Sequence, residues 1–273
     1  HLSIRRQRQM CIRDSTGGMN EEVIRRIQHR VDLLRQLADR KATILKTIDA
    51  QGKLTEELRF AIHAADAPKR LEDLYLPFKP KKRSLATEAR EKGLEPLAVA
   101  IWTRDPVALN LPELLLSMVN PEQGLNSAEE VLGGARNILA EMTSELADLR
   151  GGVRRLVWDS ALITAVKADG LPESKGQEYK GYFEFKESVQ TIPPHRILAI
   201  NRGEKEGALK VRLAYDLERV KAAALSAVPL ADHPHAELLT EIVGDALHRL
   251  VLPAIDREVR RELTDFALEH AIS

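Results

Sequence analysis

NEEVIRRIQHRVDLLRQLADRKATILKTIDA, residues 20–50, is the stretch whose pattern sets the fold class. Val23, Ile27, Val31, Leu34, Ala38, Ile44, Leu45 and Ile48 recur at helical period, which predicts one long amphipathic helix. Asn20 is placed to cap it and Gly52 to stop it. Outward from there the pattern repeats. Thr55 opens a second helix with Leu58, Ala61 and Ile62 on one face. Asp66 is the expected N-cap of a third, from Pro68 to Tyr75, since proline is tolerated in a first turn. Ser84 starts a helix that Gly93 ends; Leu94 to Trp102 and Pro112 to Val119 follow. Ser127-Ala-Glu-Glu130 is a capping box for a helix through Leu149, which Gly151-Gly152 breaks or kinks.

Val153 to Ala168 continues as helix, and residues 169–181 read as an exposed loop. Pro193-Pro194 opens a helix to about Gly203, and two last helices, about 235–251 and 253–270, divide at Pro253. Strand is confined to about 182–190 and 208–215, because Leu209 to Tyr215 alternates apolar and charged residues. The expected fold is all-α: an elongated multi-helix array with at most one or two short strands.

Composition narrows the function. The chain of 273 residues holds 41 basic and 41 acidic residues, so contact with a polyanion must come from local clusters. Aromatic residues are only 4%, too few for a stacking platform along single strands. The one cysteine, Cys11, excludes intrachain disulfides and Cys-based zinc sites. No apolar run approaches the roughly 20 residues of a membrane span. A cytoplasmic monomer is expected.

The strongest local charge lies around Lys69-Arg-Leu-Glu-Asp-Leu-Tyr-Leu-Pro-Phe-Lys-Pro-Lys-Lys-Arg83. From Lys69 to Lys92 there are eight basic and four acidic residues, a net of +4. Pro77 and Pro80 disfavour helix and hold Lys79, Lys81, Lys82 and Arg83 on an extended connection. Phosphate contact is one reading of these four, with Lys69 and Arg70 beside them. A solvated loop anchored by Leu-Pro-Phe is the other.

The same words carry a resemblance. Residues 69–83 resemble "RLEDLYLPYKPKRRT" of the bacterial Tex family, transcription accessory proteins related to the eukaryotic Spt-class elongation factors. Thr16-Gly-Gly18, Arg40–Lys46, Gln51–Leu58, Gly93–Ala98 and Ile192–Gly207 resemble further motifs of that family in register. The resemblance implies a non-catalytic nucleic-acid-binding protein of transcription. Residues 16–120 would be its helix-turn-helix-like N-terminal region. Residues 121–273 would be a central helical scaffold leading toward an RNase H-like domain of the YqgF type that is missing here. The chain is thus expected to be a fragment. A protein-docking module for RNA polymerase or ribosomal partners is the alternative, with nucleic acid bound only by a missing S1 domain. Residues 1–15 are Arg-rich, have no counterpart in the family, and contain "RQMCIRDS", which resembles translated adapter sequence. They are expected to be a disordered non-native leader, with a functional basic arm as the other possibility.

The remaining candidates are plainer. His195 and Arg196 in a helix's first turn, with Arg202, could touch phosphate or could pair with neighbouring helices. Asp232-His-Pro-His235 and His248 lack a complete ligand set, so a capping turn is expected and no metal. Asp245 and His248 should pair one turn apart. Glu204, Glu206 and Asp216 have nothing to separate their pKa values. Gly133-Gly134 and Gly151-Gly152 are expected close-approach or kink points. No catalytic residue and no cofactor are expected.

Overall fold

A computed structural model of the chain describes residues 21–172 and 175–271. Expectations placed on residues 1–20, including the leader, the Asn20 cap and Thr16-Gly-Gly18, lie outside the described residues. Two compact units result, one ending at Phe78 and the other beginning at Lys79. Twelve α-helices and three strands are present among the described residues. The protein is mainly helical, as its periodicity requires.

The N-terminal unit holds α1 (Glu21–Ala50), α2 (Glu56–Ala64) and α3 (Pro68–Tyr75). Gly52 takes a positive φ of 66° just past the end of α1. Thr55 caps α2 by accepting from the Leu58 N–H at 3.2 Å. Asp66 does not cap α3; that place falls to Ala67, which offers no side-chain acceptor. The apolar stripe of α1 divides in two. Leu37, Ile44 and Ile48 are buried against Ile62 and Leu71, whereas Ile27, Val31 and Leu34 are 38–49% exposed.

The second unit begins with α4 (Leu85–Glu91), α5 (Glu95–Thr103), α6 (Leu111–Ser117), α7 (Ala128–Ser144) and α8 (Ala147–Ser160). Ser127 caps α7, accepting from the Glu130 N–H. Glu130 reaches back one residue further than a capping box requires, to the Asn126 N–H at 2.6 Å. The break expected at Gly151-Gly152 occurs earlier, at Glu145 and Leu146, and both glycines lie inside α8.

The helix expected from Val153 to Ala168 is corrected. It ends at Ser160, and Leu162–Lys167 is strand β1. Leu-Ile-Thr-Ala-Val is a short apolar run with β-branched residues, which periodicity alone cannot assign. Pairing decides it: β1 is the centre of a three-stranded antiparallel sheet. Its neighbours are β2 (Glu184–Ser188) and β3 (Leu209–Ala214), both at the expected places. Ala165 pairs with Phe185 on one side and Val211 on the other. Ile163, Ala165, Leu209 and Val211 face the core. Within the expected loop 169–181, Gln177–Tyr182 forms a 3₁₀ turn that buries Tyr179.

α9 (Pro194–Lys205) precedes β3, and α10 (Leu217–Ser226) follows it. The sequence reading left α10 unassigned, although Asp216 caps it through the Glu218 and Arg219 N–H groups. α11 (Ala236–Ala246) and α12 (Leu252–Ala271) are joined by the π-helical turn Leu247–Val251 into one helical run. Pro253 therefore does not separate two helices. It has no N–H for an α-ladder, and the π turn takes up the irregularity just before it, with the Leu252 N–H bonding Leu247 O.

Two apolar cores hold this unit. One joins α8, the sheet, α9, α10 and α12; the other joins α4 to α7 with α11.

Candidate nucleic-acid interface

α3 tightens into the 3₁₀ turn Leu76–Phe78, and residues 80–84 carry no regular structure. Ser84 is extended and caps α4, its Oγ accepting from the Thr87 N–H at 3.1 Å. The four cations of this connection have different fates.

Lys81 turns onto α7. Its Nζ donates to Glu141 Oε2 at 2.8 Å and to Glu145 Oε2 at 3.0 Å. Arg90 donates to the same Glu141, and Ser84 Oγ lies 3.3 Å from Glu141 Oε1. The Glu141 and Glu145 side chains are only 14% and 13% exposed. Burial raises both carboxyls. At Glu141 the hydrogen bonds from Lys81 and Arg90 outweigh burial and hold the carboxyl below its ordinary range. At Glu145 burial wins over the Lys81 bond and the carboxyl sits above that range.

Arg83 points outward, 75% exposed, in a surface pair with Glu88 at 3.2 Å. Such pairs contribute about 0–1 kcal/mol and exchange readily. Lys82 is exposed and makes no ion pair among the described residues. Lys79 is half-buried. Lys69 and Arg70 occupy the first turn of α3 in the N-terminal unit, also half-buried.

The α9 candidates do not converge. Arg196 Nη1 donates to Glu187 Oε2 at 2.9 Å and ties α9 to β2. His195 and Arg202 are exposed. Arg202 is six positions from Arg196, about 120° around the helix.

His233 and His235 join neighbouring segments. His233 is buried, and its Nδ1 accepts from the His235 N–H at 3.0 Å. His235 Nε2 meets Ala108 O at 2.9 Å. Arg104, in the left-handed region at φ 60°, donates to Pro229 O and Ala231 O, both at 2.9 Å. Residues 229–235 are thereby stapled to the end of α5. Burial holds the His233 imidazole below its ordinary range, favouring the neutral ring. Asp232 makes the turn at φ 54° but does not cap α11; His235 holds the N-cap position, without a side-chain cap bond. No group of three or more His, Cys, Asp or Glu residues among the described residues could hold a metal ion.

The expected Asp245–His248 pair is replaced by Asp245–Arg249, four positions apart. Glu204 pairs with Arg260, Glu206 accepts from Tyr179 Oη at 2.7 Å, and Asp216 is the α10 cap. Each of these three carboxylates thus has a partner within the fold.

One cluster escaped the sequence reading. Arg257, Arg260 and Arg261 of α12, with Asn201, Thr264 and Asp265, line an open pocket of about 320 Å³. The signal was present: basic residues three and four apart in Asp256-Arg-Glu-Val-Arg-Arg-Glu262 share a helix face. Reading that segment for apolar period alone passed over it. No helix among the described residues is long and apolar enough to cross a membrane.

The chain is 42% identical over 206 residues to "Protein tex" of Bordetella pertussis, covering 76% of this chain and 26% of that protein. It is 39% identical over 203 residues to "Transcriptional accessory protein Tex" of Neisseria gonorrhoeae, covering 74% and 26%. It is 26% identical over 270 residues to the human "S1 RNA-binding domain-containing protein 1", covering 94% and 27%. The chain spans about a quarter of the length of these relatives. The family described as Tex central region-like matches residues 108–273, more than half of the chain. With the 69–83 signature and these relatives, that match establishes that the chain belongs to the Tex family.

Proposed function

We propose that this chain is a non-catalytic helical scaffold of a Tex-type transcription accessory protein, and that it contributes phosphate contacts to nucleic-acid binding. Lys82 and Arg83 lead these contacts, with Lys79 beside them. The observation that carries the reading is the net +4 of residues 69–92 in a chain of zero net charge. Lys81 anchors the connection through Glu141 and Glu145, and Lys82 and Arg83 beyond it are exposed. The relatives' names, a transcriptional accessory protein and an S1 RNA-binding domain-containing protein, point the same way.

A salt titration of duplex DNA and single-stranded RNA binding tests it. Each duplex phosphate neutralised adds about 0.9 to the log–log salt slope. The K79A/K82A/R83A variant should lose roughly 2–3 from that slope and keep its melting temperature. An unchanged slope would return the connection to a solvated loop. Affinity should depend little on base sequence, because phosphate contacts position without specifying.

One observation favours a second reading, docking to RNA polymerase or a ribosomal partner. Val107, Leu109 and Leu116 are 62–66% exposed in one short stretch of the second unit. Binding of purified polymerase that survives high salt and is lost in V107D/L116D would put this reading first.

A further inference from the structure

We propose that Arg257 and Arg261 of α12, backed by Arg260 and by Asn201 of α9, form a phosphate-binding site separate from the 79–83 connection. α9 and α12 run antiparallel: Asn201 Nδ2 donates to Thr264 Oγ1 at 2.9 Å, and Glu204, one turn on, receives both terminal nitrogens of Arg260. These bonds fix the walls of the 320 Å³ pocket. Arg257 and Arg261 stand four positions apart on its rim, exposed and with no ion pair among the described residues.

Like charges at that spacing destabilise a helix. A fold that balanced charge for its own sake would have met them with carboxylates, but the nearby ones are engaged elsewhere. Glu258 bonds Arg150 and Arg154, Glu204 holds Arg260, and Asp256 accepts from Tyr215, acting on Arg257 only through its field and without an ion pair. Asp265 is the only carboxylate among the lining residues; it lies one turn past Arg261 and makes no ion pair with it. Lys205, exposed and one turn past Asn201, extends the basic surface toward the Arg257 end of the antiparallel pair. Guanidinium forks match phosphate oxygens bidentately, and Arg260 is already oriented by Glu204.

The shared chemistry is a phosphate group, carried by a nucleic-acid backbone or by a free phosphate compound. Only the first source rests on the function proposed above. The test uses the full chain, with R257A/R261A and K79A/K82A/R83A compared in two arms, duplex DNA in a salt series and inorganic pyrophosphate followed by amide and Arg Nε–Hε chemical shifts. For a nucleic-acid source, R257A/R261A lowers the DNA salt slope by roughly 2 while the melting temperature holds or rises. For a free phosphate compound, pyrophosphate shifts the Arg260 Nε–Hε and the Asn201 and Thr264 amides in the parent chain, not in R257A/R261A, and DNA binding is unaffected. The site is overturned if R257A/R261A matches the parent chain in both arms. If it does so while the 79–83 variant loses its slope, the function proposed above survives without this site. If the arginine variant loses its slope and the 79–83 variant does not, this site stands and the connection is a loop.

Discussion

α7 and α8 follow one another in the chain, each carries a Gly–Gly pair, and each anchors a cluster of partly buried charge, yet they use these alike features in opposite ways. On α7, a Cβ added at Gly134 would collide with Leu94 Cδ1, so the missing side chain is what lets the helix seat on a fully buried leucine. On α8, nothing lies within 4 Å of a Cβ at Gly151 or Gly152. α7 supplies carboxylates, Glu141 with Glu145 at its end, to Lys81 and Arg90. α8 supplies cations, Arg150 and Arg154, to Glu258 of α12. A motif acquires its meaning from the surface it meets, and that surface is distant in sequence.

The largest effect should come from the α8 cluster. Arg150 is 8% and Arg154 16% exposed; Arg150 reaches Glu258 Oε1 at 2.8 Å and Arg154 reaches Oε2 at 2.9 Å. Removing one partner of a buried pair leaves the other charge desolvated. Glu258→Ala should lower unfolding stability by about 3 kcal/mol, the low end of that class because Glu258 keeps some solvent contact. A urea midpoint equal to the parent chain's would show that other neighbours hold these arginines, and the contrast between the helices would weaken.

The α7 cluster sharpens the comparison through pH. Glu141 and Glu145 share Lys81 but are shifted in opposite directions. Glu141, held low, contributes stability above the unfolded carboxyl range and loses it as pH falls through its folded pKa. Glu145, held high, detracts above its folded pKa, and that penalty disappears as pH falls toward the unfolded value. Glu141→Gln should therefore cost about 2 kcal/mol at neutral pH, since it weakens charge-assisted bonds to Lys81 and Arg90. Glu145→Gln should be close to neutral there and should flatten the stability curve on mild acidification. Denaturant melts of both variants from neutral to mildly acidic pH check this; equal losses in the two would break the assignment.

Much of this was legible in advance, for identifiable reasons. Helices capped by their own sequence, such as those at Thr55, Ser84 and Ser127, were readable because the cap and its donor lie three residues apart. β2 and β3 were readable as short strands near their observed places, β3 from its alternation. β1 was not, because Leu162–Lys167 becomes a strand only through partners about 22 and 47 positions away. The basic connection was visible as charge, but not the division within it. Lys81 differs from Lys82 only in facing Glu141 and Glu145, 60 and 64 residues on. Arg257 and Arg261 were visible as spacing; that they make no ion pair among the described residues depends on where Glu204 and Glu258 are committed. The Asp245–His248 pairing failed because Arg249, on the same face and permanently charged, is the stronger partner.

The smallest effects separate the two glycine pairs by sign. Gly134→Ala brings a methyl against Leu94 Cδ1 and within 3.5 Å of Ala89 Cβ. Leu94 is fully buried and cannot swing clear without disturbing its core. Overpacking of this kind costs about 1–3 kcal/mol. Replacing glycine inside a helix returns roughly 1 kcal/mol, so the net should be a loss of about 1 kcal/mol. Gly152→Ala meets open space on an exposed turn of α8, where only the helix preference acts. It should raise stability by about 0.5–1 kcal/mol, a shift of a few degrees or less in melting temperature for a unit of this size. Thermal melts of the two single variants in one buffer decide the matter. If Gly134→Ala also stabilises, Leu94 has room to move and the glycine is no contact device. If Gly152→Ala destabilises, its Cβ meets more than open space and the contrast between the two glycine pairs fails.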